Sequence, residues 1–288
     1  MKEEEHMEAY EKATAYKVFR TILGPIYKFW YNPKIIGKEN IPKEGRFIIV
    51  GNHIHIMDQC NVIAATKRVI HYMAKKEYFD PQYKEGHHGW FFRSAGCIPV
   101  DRTIKDEEAT HAALEVLQHD HALGLFPEGT RNGLKEARAR ELYDEYLTEE
   151  NISFEDFYQK AKKNRTSFVN YLEELMKQEF ITKDEWIDNI ATAEEYVEML
   201  LKERRITKEE YYDHIFLPFK FGAVSMSKKT GSPIIPFVIT GDYKFRSKNL
   251  TIRIGKPLDP EEDLEKANHV LEETMREMVK ENDRMNGK

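Results

Sequence analysis

The hydrophobic positions along the chain fall into two textures. In the first, short apolar runs alternate with amphipathic stretches. Phe47-Ile48-Ile49-Val50 has the length and β-branched content of a buried strand, which predicts a strand ending at Gly51. Residues 69–73, 121–126, 234–240 and 250–254 read as further strands, and residues 96–102 as a short one ending on Arg102. Residues 58–66 and 107–119 read as helices, the latter with Ala109, Ala112, Ala113, Val116 and Leu117 on one face. Residues 86–92 read as a helix or loop at the sheet edge. Pro218-Phe219-Lys220-Phe221-Gly222-Ala223 leads into a helix through Lys229 that ends at Thr230-Gly231, and Asp259-Pro260 is expected to cap a final helix. This alternation predicts an α/β fold with a mixed, largely parallel sheet flanked by helices.

The second texture runs from residue 134 to 217. Glycine is absent, charge is dense and the periodicity is helical. Ile152-Ser153-Phe154-Glu155-Asp156-Phe157, Ile181-Thr182-Lys183-Asp184-Glu185-Trp186 and Ile206-Thr207-Lys208-Glu209-Glu210-Tyr211 resemble one another. Each places Ser or Thr three residues before an acid, the pattern of a reciprocal helix cap. An all-α insertion of helical hairpins is expected at 134–217, dividing an α/β domain at 46–133 and 218–288. Unequal spacing of the three segments argues against a repeat solenoid.

Residues 1–45 form a third region. Tyr16, Phe19, Ile22, Leu23, Ile26, Tyr27 and Trp30 recur at helical spacing, with Lys17, Arg20 and Lys28 between them. Arg20 and an expected helix break at Gly24-Pro25 argue against a membrane span, since a charge near the centre of one costs about 2.5–3.5 kcal/mol. An amphipathic helix lying in a membrane interface fits, as does one packed on the domain's own core. Lys34, Lys38, Lys43 and Arg46 continue the basic run and favour an anionic surface nearby. The acidic start, Lys2-Glu3-Glu4-Glu5, is unlike a secretory signal. At 33% charged and 41% hydrophobic, the 288 residues suffice for a substantial core. A net charge of −6 does not recommend nucleic acid as a partner. Two cysteines, Cys60 and Cys97, are too few for a disulfide framework and suggest a reducing compartment.

Candidate chemistry lies in two loops expected at the carboxyl edge of the sheet, where open α/β folds bind ligands. In Gly51-Asn52-His53-Ile54-His55-Ile56-Met57-Asp58, the Asp58 carboxylate can fold back onto the His53 imidazole. That pairing fixes the tautomer and stabilises the imidazolium formed when the other nitrogen takes a proton. In Phe126-Pro127-Glu128-Gly129-Thr130-Arg131, Gly129 permits close backbone approach to a ligand and Arg131 offers a planar fork suited to phosphate. Glu128 can accept from a substrate hydroxyl or hold Arg131. Arg102 is a candidate second phosphate clamp.

With these blocks in view, and with Gly96-Cys97-Ile98-Pro99-Val100-Asp101-Arg102, Phe219-Lys220-Phe221-Gly222-Ala223 and Ile234-Ile235-Pro236-Phe237, the chain resembles the glycerolipid acyltransferases of the 1-acylglycerol-3-phosphate acyltransferase type. Order and spacing match over roughly residues 30–258 apart from the insertion. The resemblance implies that His53 is a general base on a glycerol hydroxyl and that Asp58 orients it. The acyl donor would be acyl-CoA or an acyl carrier protein, with no metal and no bound cofactor. Arg102, Glu128, Gly129, Thr130, Arg131 and Lys220 would bind the phosphorylated acceptor. A peripheral or monotopic position on the cytoplasmic face of the cell membrane would follow.

The sequence departs from the family twice. The helical insertion replaces a short linker. It could be a lid, a docking surface for a carrier or other protein, a specificity element or a tolerated surface insertion. His55 is an additional histidine, read as a bystander. Three rival readings remain open: another acceptor (a different lysophospholipid, an ornithine lipid or glycerol 3-phosphate), a metal hydrolase built on His53, His55 and Asp58, and a non-catalytic lipid-binding scaffold.

Overall fold

The computed structural model describes residues 12–83, 89–132, 146, 153–162 and 166–287. In chain order the first stretch contains α1 (Thr14–Val18), a π-helical turn (Phe19–Leu23), α2 (Gly24–Tyr31), β1 (Lys34–Ile36), β2 (Phe47–Gly51) and α3 (Asp58–Ala65). Then follow β3 (Ile70–Lys75), α4 (Gly89–Ser94), β4 (Ile98–Val100), α5 (Glu107–Gln118) and β5 (Ala122–Leu125). The helical stretch gives α6 (Phe154–Lys162), α7 (Ser167–Lys177), α8 (Lys183–Asn189), α9 (Ala193–Lys202) and α10 (Lys208–Asp213). The chain ends with α11 (Gly222–Thr230), β6 (Ile234–Thr240), β7 (Thr251–Ile254) and α12 (Leu264–Asn286). These elements form two compact units, one of Met1–Pro127 with Lys220–Lys288 and one of Glu128–Phe219.

Among the described residues the first unit carries a seven-stranded sheet in the order β1-β7-β6-β2-β5-β3-β4. All neighbouring pairs are parallel except β6 with β7. The centre of the sheet is β2, paired with β6 on one side and β5 on the other. Strand side chains alternate between faces. Phe47 and Ile49 therefore join Tyr16, Val62, Ile63 and Ile70 in one buried cluster, while Ile48 and Val50 point to the opposite face. α3 packs against α2. α5, α11 and α12 form a second layer, α11 touching both of the others. The chain thus leaves β2 for one layer and, after the second unit, follows β5 with a helix of the other. Neighbouring strands whose connections diverge in this way mark a topological switch point, where α/β sheets place their ligand crevice.

Several expectations need correction. Lys34–Ile36 pairs with β7, a three-residue strand too short to stand out as a pattern. Gly24-Pro25 does not break the N-terminal helix. A π turn precedes it, with Gly24 N–H reaching back to Phe19 O, and a widened turn accommodates a proline that cannot donate. The last helix begins at Leu264, capped by the Asp263 side chain on the N–H groups of Glu265 and Lys266. Asp259-Pro260 cannot open it, because Leu258 and Ile234 exchange both backbone hydrogen bonds and hold that stretch extended. Residues 84–88, part of the expected 86–92 segment, lie outside the described residues.

In the second unit, Thr182 and Thr207 each accept from the N–H three residues on, and Glu185 and Glu210 return the bond. Ile181 and Trp186, and likewise Ile206 and Tyr211, are buried in one cluster with Phe157, Leu172 and Val197. These are the positions flanking a cap that staple the first helical turn. The unit starts at Glu128 rather than near 134. Glu128 Oε2 accepts from Leu217 N–H at 2.9 Å, and the Asn132 side chain binds Ser167 and the Ile215 carbonyl. The first unit closes where the chain departs: Lys220 N–H donates to the Pro127 carbonyl at 2.9 Å.

One buried base makes the fold sensitive to acid. His71, at no solvent exposure, donates from Nδ1 to the Gly96 carbonyl at 2.9 Å. Burial pushes its pKa down from 6.5 to about 4, with smaller contributions from His121 and Arg68 in the same direction. Between those values the unfolded chain binds more protons than the folded one, so stability falls as pH drops. Urea unfolding at neutral and mildly acidic pH should show His71→Asn losing less stability on acidification than the wild type, by roughly 2 kcal/mol at pH about 5. Equal losses would show that another group titrates.

Candidate active site

The loop after β2 is built around a carboxylate. Asp58 is the first residue of α3 and has no solvent exposure. Its Oδ2 accepts from His53 Nδ1 at 2.7 Å, from Ile54 N–H at 2.7 Å and from His55 N–H at 2.8 Å. Its Oδ1 accepts from the Tyr243 hydroxyl at 2.6 Å. The five-residue separation of His53 and Asp58 thus lets the first helical residue reach back over one turn and gather the donors preceding it. The partial positive charge of a helix N-terminus favours a carboxylate in that place.

The imidazole plane is fixed as well. His53 stacks on Phe126, with centroids 4.2 Å apart and planes 17° from parallel. Phe126 follows β5, the parallel neighbour of β2, and meets Phe237 of β6 edge-on. Gly51 is required here, because a Cβ on it would lie 2.2 Å from the Phe237 ring. Asn52 exchanges two hydrogen bonds with the backbone of Ile239, at 2.9 and 2.7 Å. Its role is to anchor the loop to β6. Bonded to Asp58 through Nδ1, His53 has Nε2 as the nitrogen suited to exchange a proton with a substrate.

The remaining residues named from the sequence are distributed as follows. In the first unit, Arg102 is exposed in the turn after β4, and Lys220 has an exposed side chain just before α11. In the second unit, Glu128 is buried and binds the Leu217 N–H, Gly129 has φ +70°, Thr130 is exposed and Arg131 is half-buried. A positive φ is what glycine supplies without strain. His55 accepts from Met57 N–H through Nδ1 at 3.2 Å and stacks on Tyr243, centroids 4.2 Å apart. Among the described residues no three His, Cys, Asp or Glu side chains are grouped to hold a metal ion.

Sequence reasoning missed Tyr243 and Phe126 as parts of this site. Tyr243 lies 185 residues from Asp58. Only the β6–β7 turn brings it there, and no local spacing announces that. Phe126 stood inside a recognised motif, but its stacking on His53 depends on β2 and β5 being adjacent.

Comparison with known proteins agrees with this architecture. The acyltransferase family model matches residues 32–240. The 1-acyl-sn-glycerol-3-phosphate acyltransferase of Bacillus subtilis is 30% identical over 120 residues, 41% of this chain and 55% of that protein. The protein of the same name from Borreliella burgdorferi is 33% identical over 100 residues, 34% of this chain and 38% of its own. These matches span about half of the relatives' length or less. In fold, the chain is similar to the crystal structure of the 1-acyl-sn-glycerophosphate (LPA) acyltransferase PlsC from Thermotoga maritima, with a TM-score of 0.50. That similarity covers 91% of this chain and 80% of the other at 20% identity. With a match over most of its length, around a β2 loop that folds His53 onto Asp58, the chain belongs to the acyltransferase family.

Proposed function

We propose that the protein transfers a fatty acyl group from a thioester donor, acyl-CoA or an acyl carrier protein, to the free hydroxyl of 1-acylglycerol 3-phosphate. The observation that carries this reading is the buried, four-donor Asp58 carboxylate bound to His53 Nδ1. Such a pair serves one purpose well: His53 Nε2 removes the hydroxyl proton as the oxygen attacks the thioester carbonyl. The resulting oxyanion collapses, the carbon–sulfur bond breaks, and the thiolate takes the proton back from the imidazolium. Asp58 stabilises that imidazolium while it exists. The names of the relatives support the acceptor. Arg102, Glu128, Gly129, Thr130, Arg131 and Lys220 are assigned to the phosphorylated acceptor because they occupy the family's motifs.

The protein is further proposed to work at a membrane surface, on its cytoplasmic face. Among the described residues no helix is long and apolar enough to cross a bilayer. The N-terminal helix is two-sided: Tyr16 and Tyr27 are buried, while Ile22, Ile26, Phe29 and Trp30 are all more than half exposed. Phe245 packs on Trp30, with centroids 4.9 Å apart, and is exposed with it. Aromatic and aliphatic side chains beside Lys17, Arg20 and Lys28 suit an anionic interface.

His53→Ala should lower thiol release from acyl-CoA in the presence of lysophosphatidic acid by about 10²–10⁴-fold, with an unchanged circular dichroism spectrum. Asp58→Asn should fall in the same range, since an amide cannot hold the required tautomer. Full activity in His53→Ala would refute the assignment.

Arg131→Ala should raise KM for lysophosphatidic acid about tenfold and leave KM for an acceptor lacking phosphate unchanged. An unaltered KM for the phosphorylated acceptor would remove Arg131 from phosphate binding.

Joint replacement of Ile26, Phe29 and Trp30 by serine should release the protein from sedimenting anionic vesicles while leaving its melting temperature near that of the wild type. Retention on the vesicles would place the membrane contact elsewhere.

A further inference from the structure

We propose that Tyr243 is a positioning residue for the His53–Asp58 pair, the inner link of a hydrogen-bond relay through Asn61 to Tyr27 on α2. The inference rests on the reading of His53 as the base. The Tyr243 hydroxyl donates to Asp58 Oδ1 at 2.6 Å, Asn61 Nδ2 donates to the Tyr243 oxygen at 2.6 Å, and the Tyr27 hydroxyl donates to Asn61 Oδ1 at 2.5 Å. The direction of this chain is forced. An ionised carboxylate only accepts, so the Tyr243 proton must point at Asp58. The Tyr243 oxygen then receives its bond from the amide NH₂ of Asn61, which turns the amide carbonyl toward Tyr27. Asn61 has no solvent exposure and Tyr27 is 4% exposed, so the link between them is closed to water, while Tyr243 is half-buried. Burial pushes both phenols well above their ordinary pKa, and the Asp58 charge adds to this, so both stay protonated donors.

The relay joins three elements: α2, α3 and the turn between β6 and β7. That turn is fastened to α2 independently. Arg246 N–H donates to the Trp30 carbonyl at 2.6 Å, Asn32 Nδ2 to the Ser247 carbonyl at 3.3 Å, and Tyr31 meets Tyr243 edge-on at 5.5 Å. The His55 ring, stacked on Tyr243, holds the phenol from another side. The additional histidine therefore has a packing role in the site. The same α2 carries the exposed Ile26, Phe29 and Trp30.

The donors to Oδ2 all come from the loop itself, whereas Oδ1 is held from outside it. Removing the Tyr243 hydroxyl frees the carboxylate to turn about its Cβ–Cγ bond. It also leaves more negative charge facing the imidazole. The titratable groups around the carboxylate are His53, His55, Cys60, Tyr27, Tyr72 and Tyr243. Of these, His53 is the group that the proposed mechanism uses as the base.

The test measures acyl transfer from acyl-CoA to lysophosphatidic acid across pH, with melting temperatures as folding controls. Tyr243→Phe should lower kcat about tenfold, leave both KM values unchanged and move the acid limb of kcat/KM to higher pH. Tyr27→Phe should lower kcat less, about threefold, through the weakened polarisation of the chain. The double variant should equal Tyr243→Phe alone, and Tyr243→Phe should add nothing in an Asp58→Asn background. Wild-type kcat and pH profile in Tyr243→Phe, with His53→Ala inactive, would overturn the relay alone. Multiplicative losses in the Asp58→Asn background would also overturn it. Activity surviving His53→Ala would overturn the base assignment and the relay with it.

Discussion

A carboxylate withdrawn from water must have its lone pairs occupied, or it loses its charge. Asp58 meets this condition with four donors, three of them supplied by the five residues immediately before it. This constraint explains the spacing of His53 and Asp58 better than any direct requirement of the chemistry. A shorter loop would not bring the N–H groups of Ile54 and His55 and the His53 ring onto one oxygen. A carboxylate deeper in the helix would lose the terminal dipole. The loop is thus a binding site for its own side chain, and the histidine is one of its ligands.

What places that loop usefully is the sheet. β2 and β5 run parallel and adjacent, and their onward connections lead to helices of different layers. The crevice at their carboxyl ends receives His53 from one strand and Phe126 from the other, stacked ring on ring. The Gly51–Phe237 and Asn52–Ile239 contacts fasten β2 to its other neighbour at the same level. The imidazole therefore stands on three central strands, and its orientation is set by packing before any substrate arrives.

Much of this was legible in the order of residues. Among the described strands, apolar runs with β-branched side chains marked β2, β3, β6 and β7, an apolar run without them marked β5, and the Thr182 and Thr207 caps marked two helix starts with their reciprocal acids. The short β4 was visible, though Arg102 lies in the turn beyond it. Features that depend on partners distant in sequence were not legible. β1 is a strand because β7 offers it an edge, and the last helix starts late because Ile234 captures Leu258. Tyr243 is the extreme case: a tyrosine in a turn has no local signature, and its meaning arises only from where α2 and α3 hold Asn61 and Asp58.

The insertion follows a similar logic of closure. Pro127 and Lys220 are joined by a backbone hydrogen bond in the first unit, so the chain leaves and returns at adjacent points. The entropy of closing a loop grows only with the logarithm of its length, and a segment with its own core adds stability that a floppy loop would not. The second unit has such a core, centred on Phe157, Leu172, Trp186 and Val197. It also claims the end of the motif that begins in β5, since Glu128 spends its carboxylate on Leu217 and Asn132 its amide on Ser167 and Ile215. A glutamate that reads in the sequence as a substrate acceptor is therefore also a closing bond of a helical unit. Replacing it would disturb that unit's fold, because the Leu217 N–H would lose its buried partner.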